Sequence, residues 1–472
     1  MLFNSIEFLV FFPIVFVLYW FLNKDILKQN ILLLLSSYIF YAWWDWRFLF
    51  LILFSSIVDF IVGTKIYESK NDKQKRLWLT VSLFSNLGLL AVFKYYNFFV
   101  GSFSDMVAVF GWRPNDLTLD IILPVGISFY TFQTLSYSID IYRNNYTPSK
   151  NIISFFTYVS FFPQLVAGPI ERASNLLPQI EQSRIFRRIS FKDGIFQIAI
   201  GFFRKIVIAD TLGVYVDIIY ANVDIYNSTT IMLATVFYAF QIYFDFSGYS
   251  DIAIGTARLL GFKFNQNFNL PYFSKSLTEF WRKWHMSLSY WLRDYLYISL
   301  GGNRRGIKIT YRNLMLTMLL GGLWHGSSWN FIIWGGIHGL VLAIEKYLMS
   351  NKIVKMPSYM NFAGYIITFF IVAFSWIFFR AQGLETAWNA VYTIFQFDLS
   401  KPFFGDINVM VNSIFVLTIG LLFDFYLVKK KIHLEEFGRR FNNIKLVVIL
   451  SFLIVLVNLF YSSSNNFIYF QF

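Results

Sequence analysis

The 472-residue sequence contains no cysteine, which excludes disulfides, thiolate nucleophiles and cysteine-ligated zinc. Charge is scarce as well: only 14% of residues are Asp, Glu, Lys or Arg, against about 25% in an average soluble domain. Too little polar surface exists to coat a water-soluble globule. A cleavable signal peptide is not expected, because Met1–Glu7 is not basic and no small-residue cleavage site follows the first apolar run. Acidic residues are the scarcer sign, 27 against 40 Lys and Arg, for a net charge of +13. The excess sits in short clusters between apolar segments, which is the pattern of cytoplasmic loops beside anionic lipid and not of a phosphate-tracking groove. No nucleic-acid partner is expected; the partner of this surface is a lipid bilayer.

What is present is apolar. Hydrophobic residues make up 57% of the chain and aromatics 21%, with a mean hydropathy of +0.53. Uncharged stretches of about 17 to 20 residues predict spanning helices, here near residues 8–22, 31–44, 48–64, 77–93, 121–139, 152–166, 195–219, 231–246, 362–379, 409–428 and 446–461. The fold class expected is all-α, a polytopic integral membrane protein. No internal repeat or long polar linker interrupts it, so 1–472 reads as a single integral domain.

Five basic residues in Lys65–Arg76 and six in Lys429–Lys445 predict two cytoplasmic loops. Three apolar runs precede the first and one follows the second, placing the N-terminus and the uncharged tail, residues 462–472, on the extracytoplasmic side.

Residues 274–346 form the expected catalytic core. The segment SKSLTEFWRKWHMSLSYWLRDYLYISLGGNRRG is too polar to span, and a helix there would lie along the membrane surface. Were that helix continuous, His285 and Asp294 would stand about 180° apart and could not pair. The next stretch carries no charge from Asn313 to Ile344; as one helix it would be about 48 Å long, well over the ~30 Å hydrocarbon core. Basic residues flank it on both sides, so the chain is expected to enter and return, breaking at Gly326-Ser327-Ser328. His325 then sits inside the membrane near the tip of a re-entrant pair.

The chain has four histidines, His285, His325, His338 and His433, the last in a basic loop. An ionisable group at membrane depth is costly and marks a functional candidate. His325 is read as a general base acting on a hydroxyl. His285 and His338 stand between a functional and a packing role, His338 beside Gly335, Gly336 and Gly339. No metal site is expected: on one helix His325 and His338 would lie about 220° apart, with no carboxylate at ligand spacing. Asp245 and Asp251 form a second polar island, read as glue between helices with Ser247 and Ser250.

At these residues the chain resembles the membrane-bound O-acyltransferase (MBOAT) family, in its bacterial alginate O-acetyltransferase membrane-subunit branch. The resemblance runs through FWRKWHMSLSYWLRDYLYISLGGNRRG, GGLWHGSSWNFIIWGGIHG, LPVGISFYTFQTLSYSIDIYR, FFPQLVAGPIER and YFDFSGYSDIAIGTARLLGFKFNQNFNLPYFS, and extends from the N-terminal FNSIEFLVFFPIVFVLYW to the final FIYFQF. Lys283 and Met286 stand where Arg and Ile would be expected.

The resemblance implies a ring of transmembrane helices around a thin centre, with His325 as the essential histidine and His285 as the second. It implies acetyl-CoA as acyl donor, a periplasmic esterase-like (SGNH-type) acetyltransferase as partner and an exported polysaccharide as acceptor, at the bacterial inner membrane. Alginate, another exopolysaccharide and peptidoglycan are the acceptors considered. D-alanyl transfer to teichoic acid is the nearest alternative, and a polysaccharide transporter the alternative of another class. Arg282, Lys283, Arg293, Arg304 and Arg305 are candidates to hold the donor's phosphates through charge-assisted bonds; they equally satisfy the charge bias of a cytoplasmic loop. Tyr469, one phenol among the phenylalanines of the tail, resembles the acyl-carrying tyrosine of a C-terminal aromatic motif in surface-polymer acylation systems. An aromatic tail can fold back, its phenylalanines packing apolar walls and its phenol reaching toward His325.

Overall fold

Many helix starts are written in the sequence as caps. Ser5, Asp25, Asn71, Asn151, Ser276, Asp406 and Asn442 each accept, through the side-chain oxygen, a backbone N–H of the first turn that has no intrahelical partner. The computed structural model describes residues 1–112, 117–165, 168–350, 360–397, 399, 404–461 and 467–468. It is helical, with no strand among the described residues. Seven helical stretches there are long and apolar enough to cross a membrane. Their outward faces are apolar, as at Phe84, Phe362, Ile444 and Leu459, each more than 70% exposed, which suits lipid and not water.

The chain forms two compact units. The first comprises Met1–Phe191 and Thr256–Asn265. Its longer helices are Ile6–Phe21, Ile26–Asp45, Leu49–Glu68, Asp72–Leu90, Tyr96–Ala108 and Ile127–Tyr142. Between lipid-facing helices apolar burial supplies little net attraction, so polar contacts carry weight. Fully buried Asp59 accepts from Ser82 Oγ (2.5 Å), Ser138 Oγ (2.6 Å) and Asn86 Nδ2 (2.7 Å), tying three helices together. Asp59→Ala removes the shared acceptor and strands three donors, at about 1–3 kcal/mol in total once the membrane discount is applied. We expect a lower unfolding temperature in detergent, read by intrinsic fluorescence; an unchanged transition would refute the role of this knot.

The second unit comprises Lys192–Gly255 and Gln266–Phe472 and holds the residues singled out for chemistry. The helix expected over 231–246 runs on as Ser228–Leu259, because Asp245, Ser250 and Asp251 are buried inside the protein and interrupt nothing. The segment expected over 195–219 is three pieces, Arg188–Phe202, a π-helical Phe203–Ala209, and Asp210–Ala221. Leu384–Gln396 is a helix that hydropathy alone did not indicate.

Candidate active site

The uncharged stretch after Arg312 is two helices, Ile307–His325 and Trp329–Ser350, and the break falls at Gly326-Ser327-Ser328 as expected. The arms lie backbone against backbone. A Cβ at Gly322 would come within 2.1 Å of the Phe331 carbonyl oxygen, and one at Gly335 within 2.2 Å of that of Met318, so neither position admits a side chain. That closeness accounts for the glycine pairs in GGLWHG and WGGIHG. Topology gives a direct check: single cysteines near Arg304 and Lys346 are expected to react with an impermeant maleimide from the same, cytoplasmic side, and labelling from opposite sides would refute the hairpin.

His325 ends the first arm and is 4% exposed. Its ring meets Trp324 at 5.0 Å, Trp334 at 5.1 Å and Phe379 at 5.3 Å between centroids, and His285 at 6.5 Å. An imidazole inside an aromatic cage has few water molecules to compete for its lone pair.

The Trp-His segment departs from the continuous interfacial helix expected of it. Leu277–Trp281 and Met286–Trp291 are separate short helices, followed by a π-helical Leu292–Tyr297. His285 breaks them, with φ +42°, in the left-handed region that a branched or bulky residue rarely enters. The break aims its fully buried ring at Phe246 (4.6 Å) and Trp324 (6.0 Å). Asp294 is instead paired with its neighbour Arg293 at 2.6 Å, and this contact raises the Arg293 pKa above its ordinary value.

His338 resolves to a structural role. Its Nδ1 accepts from Trp281 Nε1 (3.3 Å), so the proton is assigned to Nε2, which faces Ser375 Oγ at 2.9 Å. With both nitrogens engaged the ring joins the Trp-His segment to the hairpin and to the Met360–Arg380 helix. Its ring packs on Trp334 at 4.7 Å and Trp281 at 5.4 Å between centroids.

The five cations proposed for the donor divide. Lys283 pairs with Glu279 at 2.7 Å and donates to the Phe273 carbonyl, and Arg293 is taken by Asp294. Arg282, Arg304 and Arg305 are exposed, and no carboxylate pairs with them among the described residues. Those three are open to an external anion. Among the described residues no group of three His, Asp or Glu side chains is placed to hold a metal ion.

Asp245 and Asp251 do bind helices together, but through cations that the sequence reading passed over. Arg204 bridges Asp251 and Asp424 at 2.8 Å each, with Tyr243 Oη donating to Asp424 at 2.8 Å and Gln197 Nε2 donating to Asp251 at 3.0 Å. Lys205 pairs with Asp245 at 2.5 Å and Asp210 at 2.8 Å. All are buried. The signal was available: Arg204 and Lys205 are adjacent charges inside an apolar run, where ionisable residues are functional by default. Their π-helical turn is the kind of distortion found at functional sites. Arg204, Asp251 and Tyr243 line a small cavity, about 30 Å3, that His433 and Glu435 from the basic loop also line.

Tyr469 lies outside the described residues. The two residues before it do not: Phe467 is fully buried and Ile468 is 5% exposed. Phe467 stacks on Tyr249 at 4.3 Å and meets Phe246 at 5.8 Å, the ring that also touches His285.

These features match a known family. The model of the membrane-bound O-acyltransferase family, MBOAT, covers residues 145–385. The chain belongs to the membrane-bound O-acyltransferase family. It is therefore an O-acyltransferase and a multi-pass membrane protein, and the transporter alternative falls away. Among MBOAT relatives, the probable alginate O-acetylase of Pseudomonas aeruginosa is 44% identical over 400 residues, 84% of this chain and 75% of that protein. The peptidoglycan O-acetyltransferase of Helicobacter pylori is 37% identical over 420 residues, 82% and 78% of the two chains. The teichoic acid D-alanyltransferase of Bacillus subtilis is 26% identical over 285 residues, 57% of this chain and 72% of its own. The family match spans both His285 and His325.

Proposed function

We propose that this MBOAT protein takes acetyl groups from cytoplasmic acetyl-CoA and passes them through the bacterial inner membrane for O-acetylation of an exported polysaccharide. The observation that carries the reading is His325, caged by aromatics at a hairpin tip and 6.5 Å from a second buried histidine, in a chain similar over more than four fifths of its length to relatives named as O-acetylating proteins. The 44% and 37% identities to an alginate and a peptidoglycan O-acetylating protein, against 26% to a D-alanyltransferase, favour acetyl over D-alanyl.

In this reading His325 takes the phenolic proton of Tyr469 as the oxygen attacks the thioester carbonyl. The C–S bond breaks, the thiolate of CoA leaves and recovers the proton from the imidazolium, and the acetyl group rests on Tyr469 as an aryl ester. A hydroxyl of an SGNH-type periplasmic transferase, or of the polymer itself, then displaces the phenol. His285 shares the cage and orients the reacting groups. Both termini are extracytoplasmic in this scheme, which puts the tail on the acceptor's side.

Arg282, Arg304 and Arg305 hold the donor's phosphates. The test is the steady-state rate of the purified enzyme in nanodiscs with acetyl-CoA and polymer. Arg304→Glu with Arg305→Glu is expected to raise KM for acetyl-CoA about tenfold or more with kcat nearly unchanged, since charge reversal removes binding that is uniform along the reaction. An unaltered KM would exclude these cations from the donor site. Transfer of D-alanine in place of acetyl would overturn the proposed function.

A further inference from the structure

The tail is fastened by a charge cluster that the transfer chemistry above does not use. The Ile468 N–H donates to Asp245 Oδ2 at 2.9 Å, across 223 residues of sequence. Asp245 also pairs with Lys205, which pairs with Asp210, and all three side chains are at most 8% exposed. Two carboxylates share one ammonium in a buried site, where a negative charge needs further donors. A main-chain N–H from the last residues of the chain supplies one of them. Beside it, Phe467 lies flat on Tyr249 and against Phe246, and Phe246 packs on His285. A carboxylate serving only as glue between helices would be met by helix side chains alone; this one is met by Lys205 and also by tail backbone, one residue before Tyr469 and one ring away from the histidine pair.

We infer that Asp245, held in place by Lys205, is the positioning residue that locks the C-terminal tail against the histidine cage. The inference rests on the carrier reading of Tyr469 proposed above. The lock fixes the backbone at residue 468, the position next in sequence to the proposed carrier. It acts through the tail and touches neither donor nor acceptor.

The experiment compares wild type, Asp245→Ala, Asp245→Asn and Ile468→Pro by hydrogen exchange of the tail peptide and by steady-state polymer acetylation. In Asp245→Ala the tail amides are expected to exchange about tenfold faster or more, and kcat to fall about 10²-fold, the scale of a misplaced reacting group, with KM for acetyl-CoA unchanged. Asp245→Asn leaves one oxygen for two donors, Lys205 and the Ile468 N–H, and is expected to fall between wild type and Asp245→Ala in both tail exchange and activity. Ile468→Pro removes the donor and leaves the Asp245–Lys205–Asp210 cluster in place; it is expected to lose activity like Asp245→Ala while the unfolding temperature stays close to that of wild type, which separates release of the tail from misfolding. Unchanged tail exchange in Asp245→Ala would overturn the lock; faster exchange with full activity would overturn its positioning role. Full activity in Tyr469→Phe would instead remove the carrier, and the exchange measurement would still decide the lock.

Discussion

His325→Ala is expected to abolish polymer acetylation while the protein inserts and purifies as the wild type does. Besides His285, to which the proposal gives an orienting role, the imidazole is the group in the cage that can accept a proton, for Trp324, Trp334 and Phe379 offer only π faces and indole N–H groups. A positioned base contributes roughly 10²- to 10⁴-fold to a proton-transfer step, so its loss takes the reaction below detection in cells. The side chain ends a helix and packs against rings that also pack on one another, including Trp334 on Trp376 at 5.6 Å, so a methyl group there leaves a void but not a broken helix. The check is ester content of the exported polymer after mild base release. Wild-type ester levels would remove His325 from the mechanism.

Tyr469→Phe carries an expected loss as large. The substitution keeps the aromatic ring and deletes only the oxygen. A phenol has an ordinary pKa near 10 and is inert at neutral pH until a base takes its proton, which is why the two residues are expected to fail together. Near-complete loss of acetylation at normal expression is the expected result, and His325→Ala with Tyr469→Phe should be no worse than either alone. Full activity in Tyr469→Phe would mean that acetyl passes from the thioester straight to the acceptor.

The hairpin could be read from sequence because its signals are local. An uncharged run too long for one crossing, glycines where two backbones must meet, and Gly-Ser-Ser at the turn all lie within Asn313–Ile344. Helix starts were equally local, as at Asn71 and Asp406, where the cap and the amide it serves are two or three residues apart. The bend at His285 was not, since it depends on backbone contacts such as Met286 N–H to the Asn267 carbonyl at 2.9 Å. The same holds for the buried ion pairs: Arg204 meets Asp424 across 220 residues, and periodicity along one helix carries no information about a partner so distant. His338 could be settled only when Trp281 and Ser375 were seen on its two nitrogens.

The most direct test of the account is to give the purified protein isotope-labelled acetyl-CoA without acceptor and examine the tail peptide by mass spectrometry. The account predicts a labelled acetyl ester on Tyr469 in the wild type, none in His325→Ala, and discharge of the label when the acceptor is added. Polymer acetylation at the wild-type rate by a protein whose tail never carries the label would contradict it.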